Sequence, residues 1–172
     1  HPCGRPALDE VNVVRSASAS HSRANVNRSI GESRIGLERV RPRARAAGLR
    51  CEGVVSVSFG CPYGGRVEPA RVFEIAERLI AAGARAIGSG DTTGMANPLQ
   101  VRAFFTAARE RLGDEVELPG HSHNPRGPGL ANVPAALAAG CPPYESSSGA
   151  LGGWPGAAGP AGHLATEDLL PT

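Results

Sequence analysis

The sequence predicts an α/β fold of about five βα units along one parallel sheet, on two observations. Short β-rich runs alternate with amphipathic helical segments from Cys51 onward. Polar and glycine-rich motifs fall after one such run after another. Glu52 to Phe59 reads as an apolar strand. Pro69 opens a helix with Val72, Ile75, Ala76, Leu79 and Ile80 on one face, and Gly83 closes it. Arg85 to Ser89 is the next strand. A helix follows from about Pro98 to Leu112, with Val101, Phe104, Phe105 and Ala108 at helical spacing and Gly113 behind it. Glu115 to His121 predicts a strand, Leu130 to Ala139 a weaker helix and Tyr144 to Ser147 a short strand. Upstream, Asn12 to Ser16 predicts a strand and Ile30 to Ala47 a helix. Pro42 and Pro134 fall inside two of these helices, where a proline costs roughly 3 kcal/mol, so breaks are expected there. Pro142 and Pro143 crowd the start of the last strand.

The motifs give the fold its direction. GCPYGG follows the Glu52 strand, GDTTG the next, HSHN the one after, and SSSGALGG the last. Active sites of (β/α)8 barrels are built from the loops at the carboxyl ends of their strands. A doubly wound sheet shares that polarity, but no GxGxxG sits at a first strand-to-helix turn and no GxxxxGK[ST] occurs. The expectation is one domain over residues 1–172, forming part of a (β/α)8 barrel.

Composition narrows the function. With 41% hydrophobic and 20% charged residues the chain reads as globular and soluble, and a cytoplasmic location is expected. Its 18 basic and 16 acidic residues leave a net charge of +2, too small to argue for nucleic acid or an anionic membrane as a partner. No run reaches the ~18 apolar residues of a membrane span. Every basic residue is an arginine, so no lysine is available for a Schiff base and carbonyl chemistry needs another electrophile. Cys3, Cys51, Cys61 and Cys141 form no CxxC pair and suggest neither a zinc module nor a disulfide framework. Arg39, Arg41, Arg43, Arg45 and Arg50 read as a solvated helix face rather than a phosphate patch.

Three residues stand out chemically. His121 and His123 are two apart at a strand end, so both point to one face and could share a divalent ion; ordinary loop polarity is the competing reading. Asp91 in GDTTG sets a carboxylate at the same mouth, or serves as a turn or N-cap residue. Two histidines and a carboxylate from successive strands argue better together than singly.

The runs VSVSFGCPYGG, SGDTTGMANP, HSHNPRGPGLAN and GALGGWPGAAGPAGHLATEDL resemble the hydroxymethylglutaryl-CoA lyases in content, order and spacing. The upstream SASASHSRANVNRSIGES resembles that family's fourth strand and following loop, so the likeness covers about Val13 to Leu170. The resemblance implies a TIM barrel in which Mg²⁺ or Mn²⁺ helps cleave 3-hydroxy-3-methylglutaryl-CoA to acetyl-CoA and acetoacetate, chemistry of leucine degradation and ketone bodies. It assigns His121 and His123 as metal ligands and Asp91 as a substrate-contacting carboxylate and acid/base. An acyl-CoA is the implied substrate, and a homo-oligomer is allowed for. Two positions depart from the family. Gly152 and Gly153 of the substrate loop lead to Trp154 where the family has a catalytic cysteine, and His163 replaces an asparagine ligand. The barrel's first three strands, with an Asp ligand and a DGLQ-like motif, are expected to be absent from these residues. A catalytically impaired homologue, or a related aldolase or synthase acting on another acyl-CoA or a 2-oxo acid, is the alternative.

Overall fold

Five strands lie side by side in chain order, all parallel: β1 (Glu10–Ser16), β2 (Arg50–Ser56), β3 (Ala86–Asp91), β4 (Gly120–Ser122) and β5 (Tyr144–Glu145). The computed structural model describes residues 8–141, 143–153 and 162–170. A strand order that never reverses is that of a (β/α)8 barrel, whereas a doubly wound sheet reverses at a switch point. Among the described residues the sheet stays open, with β1 and β5 at its two edges. The part-barrel expectation therefore holds.

Helices α1 (Ala19–Val26) and α2 (Ile30–Ala46) join β1 to β2, and α3 (Pro69–Ala81), α4 (Pro98–Leu112) and α5 (Gly129–Ala138) make the next crossovers. A last turn, α6 (Thr166–Leu169), follows β5. Local chemistry starts these helices cleanly. Ser29 and Glu32 form a reciprocal capping box ahead of α2, Asn97 and Gln100 another ahead of α4, and prolines open α3 and α4. Arg109 finishes α4: its Nη1 donates to the carbonyls of Gly113 (2.9 Å) and Val116 (2.8 Å), and its Nη2 to Gly140 (2.9 Å).

The core fills the space between the sheet and its helices. Val13, Val55, Ile87, Ile75, Leu79, Phe104 and Phe105 are all buried there. The Phe104 ring lies 4.7 Å from Phe59, 5.2 Å from Phe73 and 5.4 Å from Phe105, centroid to centroid. Gly53 faces this layer, because a Cβ there would press on Leu79 and Ile87. Strand alternation then puts Glu52 and Val54 on the opposite, inner face. The ladder carries that face across to His121 and Glu145 through Gly88 and Gly90.

Several expectations change. Both α2 and α5 run through Pro42 and Pro134 without a break. In α5, burial of Asn132, Val133 and Ala136 holds the turn that the proline weakens. Strand β4 is shorter than Glu115 to His121: Glu117 makes one bridge to Ala86, and Pro119 has no N–H for the ladder. Strand β2 stops at Ser56, because Val57 turns into the left-handed region at φ 55°. Helix α1 was not anticipated; Ser18 caps it, its side chain accepting from the His21 N–H.

Candidate metal centre

The carboxyl ends of β4 and β5 meet the chain beyond residue 161 at three imidazoles. Residue His121 sits in β4 opposite Gly90 of β3 and Glu145 of β5. His123 follows on the same face and forms an antiparallel bridge with His163. That bridge is supported nearby by Asn124 N–H to the Gly162 carbonyl (3.4 Å) and Ser147 N–H to the Leu164 carbonyl (3.0 Å). The ring centroids of His121 and His123 are 5.1 Å apart, of His121 and His163 4.7 Å, and of His123 and His163 4.6 Å. One ligand atom from each lies within 4.8 Å of the other two, so the three could hold a metal ion together. Among the described residues this is the one such group of three or more.

Electrostatics prepares the cluster. The Nδ1 of His121 is 2.7 Å from Glu145 Oε2, and its Nε2 is 3.1 Å from His123 Nε2. With Nδ1–H donating to the carboxylate, the lone pair of a neutral His121 sits on Nε2, toward the other rings. The His121 hydrogen bond holds the Glu145 carboxyl below its usual range, against the opposing effect of burial. Burial lowers the pKa of His163, which favours the neutral ring that a metal needs. The donor set therefore fits a divalent ion: three imidazoles with a carboxylate behind one of them.

Asp91 lies one residue beyond the β3 position that pairs with His121, in register with Ser122. It is 1% exposed, and its two oxygens accept from the N–H groups of Met95 (2.8 Å) and Ala96 (3.1 Å). Burial raises its pKa, opposed by those two hydrogen bonds. Its present geometry fixes the loop after β3. That loop is tied to its neighbours twice more: Thr92 Oγ1 accepts from the strained Val57 N–H (2.8 Å), and Gly94, at φ 61°, lies against Pro125. A Cβ at Gly94 would fall 2.5 Å from Pro125 Cδ.

Of the substrate-loop residues, Gly152 and Gly153 are described and Trp154 lies outside the described residues. Gly152 takes φ 102°, and a Cβ there would sit 3.1 Å from His163 Nε2, so the chain at this point passes against the His163 ring. The structure thus brings together His121, His123, His163 and Gly152, and sets Asp91 behind the loop beside them. Sequence reasoning passed over Glu145. No local signal marks it: the register of β4 against β5 is what puts that carboxylate beside His121. It also missed Glu52, buried on the same inner face with its carboxyl pushed up to about 8, first by burial and then by Glu145 and Glu10.

Fold and site define a part-barrel of parallel strands with a histidine centre at their carboxyl ends. A family model described as HMGL-like matches residues 5–170, and the chain belongs to that family. Mitochondrial hydroxymethylglutaryl-CoA lyase of Rattus norvegicus is 41% identical over 161 residues, 94% of this chain and 49% of the relative. The hydroxymethylglutaryl-CoA lyase of Pseudomonas mevalonii is 41% identical over 169 residues, 96% of this chain and 55% of the relative. Among solved structures, an HMG-CoA lyase from Acinetobacter baumannii in complex with coenzyme A and 3-methylmalate superposes with a TM-score of 0.87 at 37% identity. That match covers 94% of this chain and 52% of the other. The chain spans about half the length of the relatives it matches. No helix among the described residues is long and apolar enough to cross a membrane.

Proposed function

We propose that residues 1–172 form the metal-facing part of a carbon–carbon lyase that cleaves 3-hydroxy-3-methylglutaryl-CoA to acetyl-CoA and acetoacetate. One observation carries this reading: in a chain of the HMGL-like family with no lysine, His121, His123 and His163 converge at the strand ends. The resemblance points to Mg²⁺ or Mn²⁺, and such an ion, once bound, supplies a Lewis acid and a template for the substrate's hydroxyl and carboxyl oxygens. The three imidazoles would hold a divalent ion, with Glu145 hydrogen-bonded to Nδ1 of His121 behind them.

In the reaction the substrate hydroxyl gives up its proton, the bond between C2 and C3 breaks, and acetoacetate leaves. The electron pair stays on the acetyl-CoA carbon, which then takes a proton. Trp154 stands where the family resemblance calls for a thiol, and an indole N–H is no acid at neutral pH, so the loop at Gly152 and Gly153 does not deliver that proton. Asp91 positions the loop after β3; each of its oxygens accepts one backbone N–H and keeps a second lone pair, through which Asp91 would take the hydroxyl proton and return it to the acetyl-CoA carbon. The partner is an acyl-CoA and the location cytoplasmic.

The test is acetoacetate release from 3-hydroxy-3-methylglutaryl-CoA by the purified chain with added Mg²⁺ or Mn²⁺. Metal-dependent release that falls at least about 100-fold in His121→Ala is expected. Absence of release from a folded chain with its metal bound would overturn the lyase reading for this polypeptide.

A further inference from the structure

The donor set of this centre carries information about its ion. Magnesium takes oxygen ligands in near-ideal octahedral geometry and gives up its waters reluctantly, whereas imidazole suits zinc and the later first-row metals. All three side chains that converge here are imidazoles. The third, His163, stands perpendicular to the His121 ring at 84° and at 73° to His123, so the rings enclose a common point rather than stacking. Gly152 leaves the space that this ring occupies. Behind His121, Glu145 Oε2 at 2.7 Å from Nδ1 completes a carboxylate–histidine pair of the kind that orients imidazole toward a metal. The β4–β5 register itself sets that pair, because it aligns His121 with Glu145.

Building on the reading of the triad as a metal centre, we propose that it selects a borderline transition-metal ion of the zinc and cobalt class over magnesium, with Glu145 as the positioning residue for His121. His121 and His123 stand where the resemblance already has imidazole ligands, and His163 puts a third nitrogen where it has an amide oxygen, an exchange that costs magnesium more than zinc or cobalt. Glu145 acts through His121: it holds the proton on Nδ1, leaves the lone pair on Nε2 and makes that nitrogen a stronger donor.

The purified 172-residue chain, stripped of metal, is titrated with Co²⁺ by calorimetry and visible absorption, then challenged with Zn²⁺ and Mg²⁺. One Co²⁺ per chain with d–d bands is expected, displaced by one equivalent of Zn²⁺ and retained in about 100-fold excess Mg²⁺. Glu145→Ala is expected to weaken Co²⁺ binding by about 10–100-fold and to shift the bands. Glu145→Gln, whose amide oxygen still accepts from Nδ1–H, should keep the bands with a smaller loss. Displacement of Co²⁺ by comparable Mg²⁺ would overturn the metal class. Wild-type affinity and spectrum in Glu145→Ala would overturn the positioning role. A folded wild-type chain that binds neither Co²⁺ nor Zn²⁺ would remove the metal-centre reading itself.

Discussion

Replacing Glu52 with glutamine tests the electrostatics of the inner sheet face. Glu52 is 5% exposed, and its Oε1 has no hydrogen-bond partner among the described residues. Burial, then the nearby carboxylates of Glu145 and Glu10, raises its pKa from 4.5 to about 8. Between those two pH values the folded state keeps a proton that the unfolded chain has lost. Stability from this group is therefore fully present below about pH 4.5 and is lost as pH rises through about 8. At ~1.4 kcal/mol for each tenfold change in proton affinity, the whole gap corresponds to at most ~5 kcal/mol. Solvent screening and titration of the neighbouring acids bring the expected effect to ~2–3 kcal/mol. Glutamine has nearly the same shape and cannot ionise. Urea unfolding followed by circular dichroism should give Glu52→Gln and the native chain similar stability at pH 4.5, with the variant ahead by ~2–3 kcal/mol at pH 8.5. Parallel stability profiles across that range would refute the reasoning, because they would mean that Glu52 ionises at an ordinary pH.

Three further substitutions probe the scaffold that presents the site, each read by urea unfolding. Thr92→Val leaves the Val57 N–H without its acceptor and should cost ~1–3 kcal/mol, while Thr92→Ser restores most of it. Gly94→Ala forces a Cβ into Pro125 at a positive φ and should cost ~2 kcal/mol or more. Arg109→Lys keeps the charge but cannot reach Gly113, Val116 and Gly140 at once, for an expected loss of ~1–2 kcal/mol. An unchanged midpoint in any of the three would show that the contact concerned does not hold these loops.

Much of the architecture was readable because local signals agree with the tertiary structure. Pro69 and Pro98 open α3 and α4 where expected, and Leu112 with Gly113 closes α4, since proline and glycine fix helix ends through backbone geometry alone. Prolines inside helices misled for the complementary reason: at Pro42 and Pro134 packing decides, and packing is not local. The histidines were readable from strand periodicity, which puts His121 and His123 on one face, and from the family likeness, which points to His163. The role of Glu145 was not, because it depends on the register between two strands 24 residues apart in sequence. The geometry at Asp91 was equally hidden: the motif places a carboxylate at the mouth, and only the folded loop shows two backbone N–H groups taking both oxygens.

The claim that His121, His123 and His163 share one ion is tested most directly by anomalous diffraction from crystals of this chain grown with Co²⁺. A single anomalous peak bonded to all three imidazoles, with Glu145 still on Nδ1 of His121, is the predicted result. A peak bonded elsewhere, or none while the chain is folded and Co²⁺ is in excess, would contradict it.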